Sequence, residues 1–113
     1  MRRAPTPNRR LVLEAPQTAP DGAGGWTKEW AALGTVWGEF RASPGREGHE
    51  AGAVLSRVKW RVILRASPYG AASRPRPEQR LREGERVFAI LAVAEHDPEG
   101  RWLVCHVEEE VAA

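Results

Sequence analysis

One cysteine, three histidines and a late run of glutamates are the residues of this 113-residue chain whose types can do covalent, acid–base or metal chemistry. Cys105 beside His106, or reached by His49 or His96, would make a thiol nucleophile and its base. Glu108, Glu109 and Glu110 would supply a carboxylate pair. The spacing supports neither. Cys105 lies in LVCHV, residues 103–107, an apolar strand pattern in which free cysteine acts as a small hydrophobe. The histidines are far apart in sequence, and His96 borders a turn. Consecutive acids near a chain end read as a solvated tail. There is no glycine-rich phosphate loop with its lysine, no dinucleotide fingerprint, and no Cys or His pair at metal spacing. The chain therefore reads as having no catalytic residue, no metal and no cofactor.

Stacking on bases is the other chemistry in view. The stretch GGWTKEWAALGTVWGEF, Gly24 to Phe40, holds three of the five tryptophans. Arg2, Arg3, Arg9 and Arg10 form one basic cluster; Arg74, Arg76, Arg80, Arg82 and Arg86 form a second. A small β-barrel can bind nucleic acid with such a set, stacking bases on aromatics and meeting phosphates with cations. Against it, Glu78, Glu83 and Glu85 interleave the second cluster, and net charge is only +2. Such a balance argues for incidental contact with DNA rather than recognition.

The elements that must position these residues read as strands. The clearest is SRVKWRVILR, residues 56–65. Val58, Trp60, Val62 and Leu64 fall on one face, and Arg57, Lys59, Arg61 and Arg65 on the other. Arg9–Ala15 is a first strand ended by Pro16, and residues 17–25 a glycine-rich turn. Trp26–Leu33 and Thr35–Ala42 follow, separated at Gly34. Pro77–Arg82 reads as a short strand, Val87–Ala94 as the most buried one, and Arg101–Glu108 as its hairpin partner across HDPEG. No apolar run reaches the roughly 20 residues that span a bilayer. Leu11-Val12-Leu13 is too short for a secretory signal. The expectation is an all-β barrel or sandwich of six or seven strands with a long inserted loop. Residues 1–8 would be a flexible arm, 9–109 the single domain, and 110–113 a tail.

In order along the chain, GGWTKEW, TVWGEF, SPGRE, VKWRVILR, LREGERVFAILAV and DPEGRWLVCHVEE together resemble the head–tail joining proteins of tailed bacteriophages, the head-closure or stopper proteins. The resemblance spans about residues 9–109. The arginine-rich style is most similar to the stopper of a gene transfer agent, a phage-derived particle that packages host DNA. It implies a small β-barrel in a homo-oligomeric ring of six or twelve copies at the neck of the particle, put together in the bacterial cytoplasm. An adaptor or portal-side protein would lie on one side and a tail terminator or tail tube on the other. Packaged double-stranded DNA would pass through non-specifically, with no membrane involved. The alternatives are a free nucleic-acid-binding barrel and a tail-terminator ring of the same neck.

The resemblance also implies an inward loop that helps retain DNA, which maps onto residues 42–55. Gly45, Gly48 and Gly52 would supply backbone freedom there, and Arg46, Glu47, His49 and Glu50 polar groups. Ring or partner contacts are expected at Arg2, Arg3 and Trp26. They are expected too between the Arg57, Lys59 and Arg61 row and a neighbour's Glu108, Glu109 and Glu110. Trp37, Val58, Trp60, Val62, Phe88, Ile90 and Leu91 are expected in the core.

Overall fold

Period-two alternation closes into a barrel here. The computed structural model describes residues 3–43 and 55–112. Six strands, β1 (Arg9–Pro20), β2 (Trp26–Ala42), β3 (Leu55–Arg65), β4 (Arg80–Glu83), β5 (Arg86–Glu95) and β6 (Trp102–Ala112), pair antiparallel in the closed order β1-β2-β3-β6-β5-β4. The all-β expectation holds, with six strands. The core is one cluster of Leu11, Leu13, Val62, Leu64, Leu81, Phe88, Ile90, Leu103, Cys105 and Val107 from five strands, with Val36 and Phe40 of β2 packed against it.

Two strands expected between Trp26 and Ala42 are one 17-residue strand. Gly34 bends it without ending it. Leu13 pairs with Gly34 and Glu14 with Ala32, so Leu33 is an extra residue, a β-bulge. Gly34 has φ 153°, a conformation that disfavours any side chain. β1 likewise runs past Pro16 to Pro20. Proline is tolerated because β1 pairs with β4 only over Val12–Glu14 and is an edge strand beyond. Ala15–Pro20 and Trp26–Ala31 therefore leave the barrel as a two-stranded arm, about 20 Å long at ~3.3 Å per residue.

Closure depends on two tight places. At Gly38, a Cβ would stand 2.6 Å from Val62 Cγ1 and 3.3 Å from Leu11 Cδ1, so only glycine lets β2 lie against β3 there. The β1–β4 seam has three residue pairs and is pinned by Glu14, whose carboxylate accepts hydrogen bonds from Arg80 Nε at 2.7 Å and Arg82 Nε at 2.9 Å. The expected β5–β6 hairpin forms: the His96 N–H donates to the Trp102 carbonyl, and Asp97 Oδ1 accepts from the Trp102 N–H.

Three core expectations need correction. Trp37 is 51% exposed and Leu91 50% exposed. Trp37 sits opposite Arg10 on the outer face, because Val36, Gly38 and Phe40 take the inward positions of β2. Leu91 is the unpaired residue of a bulge between Ile90 and Ala92, and it points outward. Hence β5, expected to be the most buried strand, is buried only at Phe88 and Ile90 and half-buried at Val87 and Val93. Val58 is half-buried and outside the core cluster. Val62, Phe88 and Ile90 lie inside it, with Trp60 packed against its edge.

Candidate interaction surfaces

The barrel end from which the 44–54 connection leaves is closed by aromatic rings and capped by charges. Phe88, Phe40 and Trp60 stack edge-on in sequence, with centroids 4.9 Å and 6.0 Å apart. Above them Arg9 lies 3.7 Å over the Phe40 ring and donates twice to Glu83, at 2.9 and 2.6 Å. Glu109 is buried and accepts from Arg86 Nε at 2.8 Å, Arg86 Nη2 at 3.0 Å and Trp60 Nε1 at 3.3 Å. The Arg86 hydrogen bonds hold the Glu109 carboxyl below its ordinary range, against the opposing effect of burial. Arg9 does the same for Glu83. These groups satisfy each other, so the cap is structural.

The tryptophans gathered in Gly24–Phe40 share one face. Trp26 opposes Pro20, Trp30 opposes Pro16, and Trp37 opposes Arg10, all outward positions of β1. By plain alternation Trp37 would point away from Trp26 and Trp30. The extra Leu33 shifts the phase by one residue and brings it back to their side. Trp26 is 71% exposed, and Trp30 is half covered by Arg80, whose guanidinium lies 4.1 Å from its ring, and by Lys28 at 5.3 Å. The cluster is thus a surface, not the core that its composition suggests.

A second apolar face lies on β5, across the barrel from Trp37. Ala89, Leu91, Ala92 and Ala94 of β5 are exposed on its outer side. Between this strand's far end and the base of the arm runs a groove of about 510 Å³, lined by Leu33, Tyr69, Arg74, Pro75, Val93 and Glu95 among others.

The expected contact residues distribute unevenly. Arg57 Nε lies 3.5 Å from Glu108 and 3.8 Å from Glu110 of its own chain, and Glu109 turns inward. The acids expected to meet a neighbour's cations are therefore matched within the subunit, because β3 and β6 pair Arg57 with Glu110 and Lys59 with Glu108 across the ladder. Arg61 is half-buried, its Nη2 3.4 Å from the Ala42 carbonyl. In the expected arm, the Thr6 N–H donates to buried Glu39 at 2.6 Å, and Arg3 lies 3.7 Å from the same carboxylate. Arg2 and the loop residues Gly45, Arg46, Glu47, Gly48, His49, Glu50 and Gly52 lie outside the described residues.

No metal cluster of His, Cys, Asp or Glu occurs among the described residues. Cys105 is wholly buried in the core, and burial pushes its thiol up to about 12, with Arg74 opposing weakly. A thiol-disulfide reagent at pH 8 is expected to leave folded protein unlabelled and to label it fully in denaturant. Rapid labelling of the native chain would place the thiol at the surface instead.

Comparison with known proteins bears on these surfaces. A family model described as "phage head completion protein" matches residues 2–110. A chain from a solved structure, the "virion of native gene transfer agent (GTA) particle", is 51% identical; the match covers 97% of this chain and all of that one, with a TM-score of 0.82. No curated protein matches.

Proposed function

The chain belongs to the phage head completion protein family, and from that premise we propose that it works as a stopper ring in the neck of a gene transfer agent or phage particle. It is a structural, head-completion protein of the neck rather than an enzyme. The observation that carries the proposal is the end-to-end match, at 51% identity, to a chain of an assembled gene transfer agent virion. The geometry suits it. A closed barrel has few free edges, so it can serve as a rigid block whose outer faces dock. Its projecting arm and the strand ends at Ala42 and Leu55 lie at opposite ends of the barrel, which leaves two separate ends to face the neighbours along a neck.

In this reading several copies surround DNA that passes without being recognised. An adaptor or portal-side protein lies on one side, and a tail terminator or tail tube on the other. Assembly takes place in the host cytoplasm. The mixed Arg and Glu surface fits a passage, since a strongly cationic lining would hold the duplex. The loop at 42–55 is proposed as the part that narrows the passage.

Deleting the gene for this chain in a producing strain tests the proposal. The expected result is tailless heads that have lost their DNA under the electron microscope, with at least about a tenfold loss of nuclease-protected DNA. Normal numbers of tailed, DNA-retaining particles would overturn it. Tight binding of the isolated chain to single strands at about 0.15 M salt, where exposed charges are screened within ~8 Å, would favour a nucleic-acid-binding barrel.

A further inference from the structure

The stopper reading requires copies to join, and the two exposed apolar faces show how. We infer that the tryptophan face of β2 on one copy packs against the alanine face of β5 on the next, joining the ring head to tail. The inference rests on the ring proposed above.

Position is the first argument. In the closed order β1-β2-β3-β6-β5-β4, the barrel part of β2 that carries Trp37 is three strands from β5 in either direction, on the opposite side of the barrel, while Trp30 on the arm lies against Arg80 of β4. Different patches on opposite sides are what a heterologous, ring-forming contact needs. Shape is the second. One face carries the large rings of Trp26, Trp30 and Trp37; the other carries Ala89, Ala92 and Ala94 around Leu91, small side chains that leave room for them. Tryptophan is among the residue types enriched in the anchors that dominate interface energies.

Charge is the third. Along β2 the apolar stripe is accompanied by Lys28 near one end and, across from Trp37, by Arg10 near the other. Neither forms an ion pair with a carboxylate among the described residues. β5 has Glu85 just before its first residue and Glu95 as its last, both exposed and neither in an ion pair among the described residues. Trp37 lies nine positions after Lys28, and Glu95 ten positions after Glu85. At ~3.3 Å per residue both intervals span about 30 Å, so the cations of one face can meet the acids of the other. A symmetric pairing of two β2 faces would instead bring Arg10 and Lys28 toward their own copies.

The test uses assembled particles in which Trp37 is replaced by the photo-cross-linkable residue p-benzoylphenylalanine. Irradiation, digestion and mass spectrometry are expected to join position 37 to the 86–95 peptide of a second copy. An adduct with another protein, with DNA or with a different segment of this chain overturns the inference while leaving the ring in place. So does the absence of any adduct from a chain present in the particle. As a companion, Leu91→Arg changes an exposed residue and should leave the thermal midpoint of the isolated chain within about 2 °C of the parent. It is expected to lower incorporation into particles about tenfold or more. Incorporation equal to the parent overturns the inference. A parent chain missing from purified particles overturns the neck reading itself, and the inference with it.

Discussion

Phe88→Ala is expected to lower the thermal midpoint of the isolated chain by about 10–25 °C, the shift that a loss of about 3–5 kcal/mol produces in a domain of this size. Phe88 is wholly buried and central to the aromatic series that closes the loop-side end of the barrel, 4.9 Å from Phe40. Its backbone is held on both sides, by Leu81 of β4 and by Glu109 of β6. Neither neighbour can move in to fill the space without breaking a ladder, so most of the cavity should remain. A domain of about this length has roughly 5–15 kcal/mol in total. Unfolding followed by far-ultraviolet circular dichroism decides it. A drop under about 4 °C would mean that the Phe40 and Trp60 rings collapse into the gap and that the end of the barrel is not rigid.

The same ring shows what the sequence made legible. Phe88 and Ile90 are inward because β5 alternates, and alternation is visible in any window of strand. The best-patterned strand, β3, comes out with Val62 and Leu64 inside and Arg57 and Lys59 outside as expected. The turn residues around Asp97 and Gly100 likewise specify their own hairpin locally.

What alternation cannot report is phase across an irregularity. The apolar pattern places Trp37 and Leu91 in the core, yet both are turned outward beside a bulge. A bulge is a property of two strands in register, and Leu33 carries no sign of it apart from the Gly34 that follows. The buried acids are the second gap. Glu14, Glu39 and Glu109 read as surface residues, since an isolated carboxylate is costly to bury. Each is buried because arginines or a backbone N–H from distant parts of the chain meet it, for example Arg80 and Arg82 at Glu14. In an arginine-rich sequence such partners are too numerous to pair by inspection. The placement of the tryptophans is therefore tertiary: the strand forms from local preference, but the face it presents is decided by its partner.

Glu14→Ala is expected to destabilise the chain by about 2–3 kcal/mol at pH 7, and the effect should fade in acid. The carboxylate is buried at the three-pair seam where β4 completes the barrel, and its loss leaves Arg80 and Arg82 facing each other without a counter-charge. Breaking a fully buried pair costs about 3–5 kcal/mol; the smaller figure applies because Arg82 is 37% exposed and water screens it. Burial pushes the Glu14 pKa up, but the hydrogen bonds and charges of Arg82 and Arg80 outweigh it, so the group titrates below its ordinary 4.5. A folded pKa lower than the unfolded one contributes stability that is complete above about 4.5 and lost as pH falls through the folded value. Denaturant unfolding of parent and Glu14→Ala at pH 7, 4 and 3 should therefore show the gap narrowing as the parent loses its advantage. Glu14→Gln should behave similarly with a smaller gap at pH 7, since the amide keeps one acceptor. A gap that stays constant from pH 7 to 3 would mean that the seam is held by packing at Leu13 and Leu81 rather than by charge. The seam would then no longer be the acid-sensitive point of a barrel whose outer faces must stay rigid to dock.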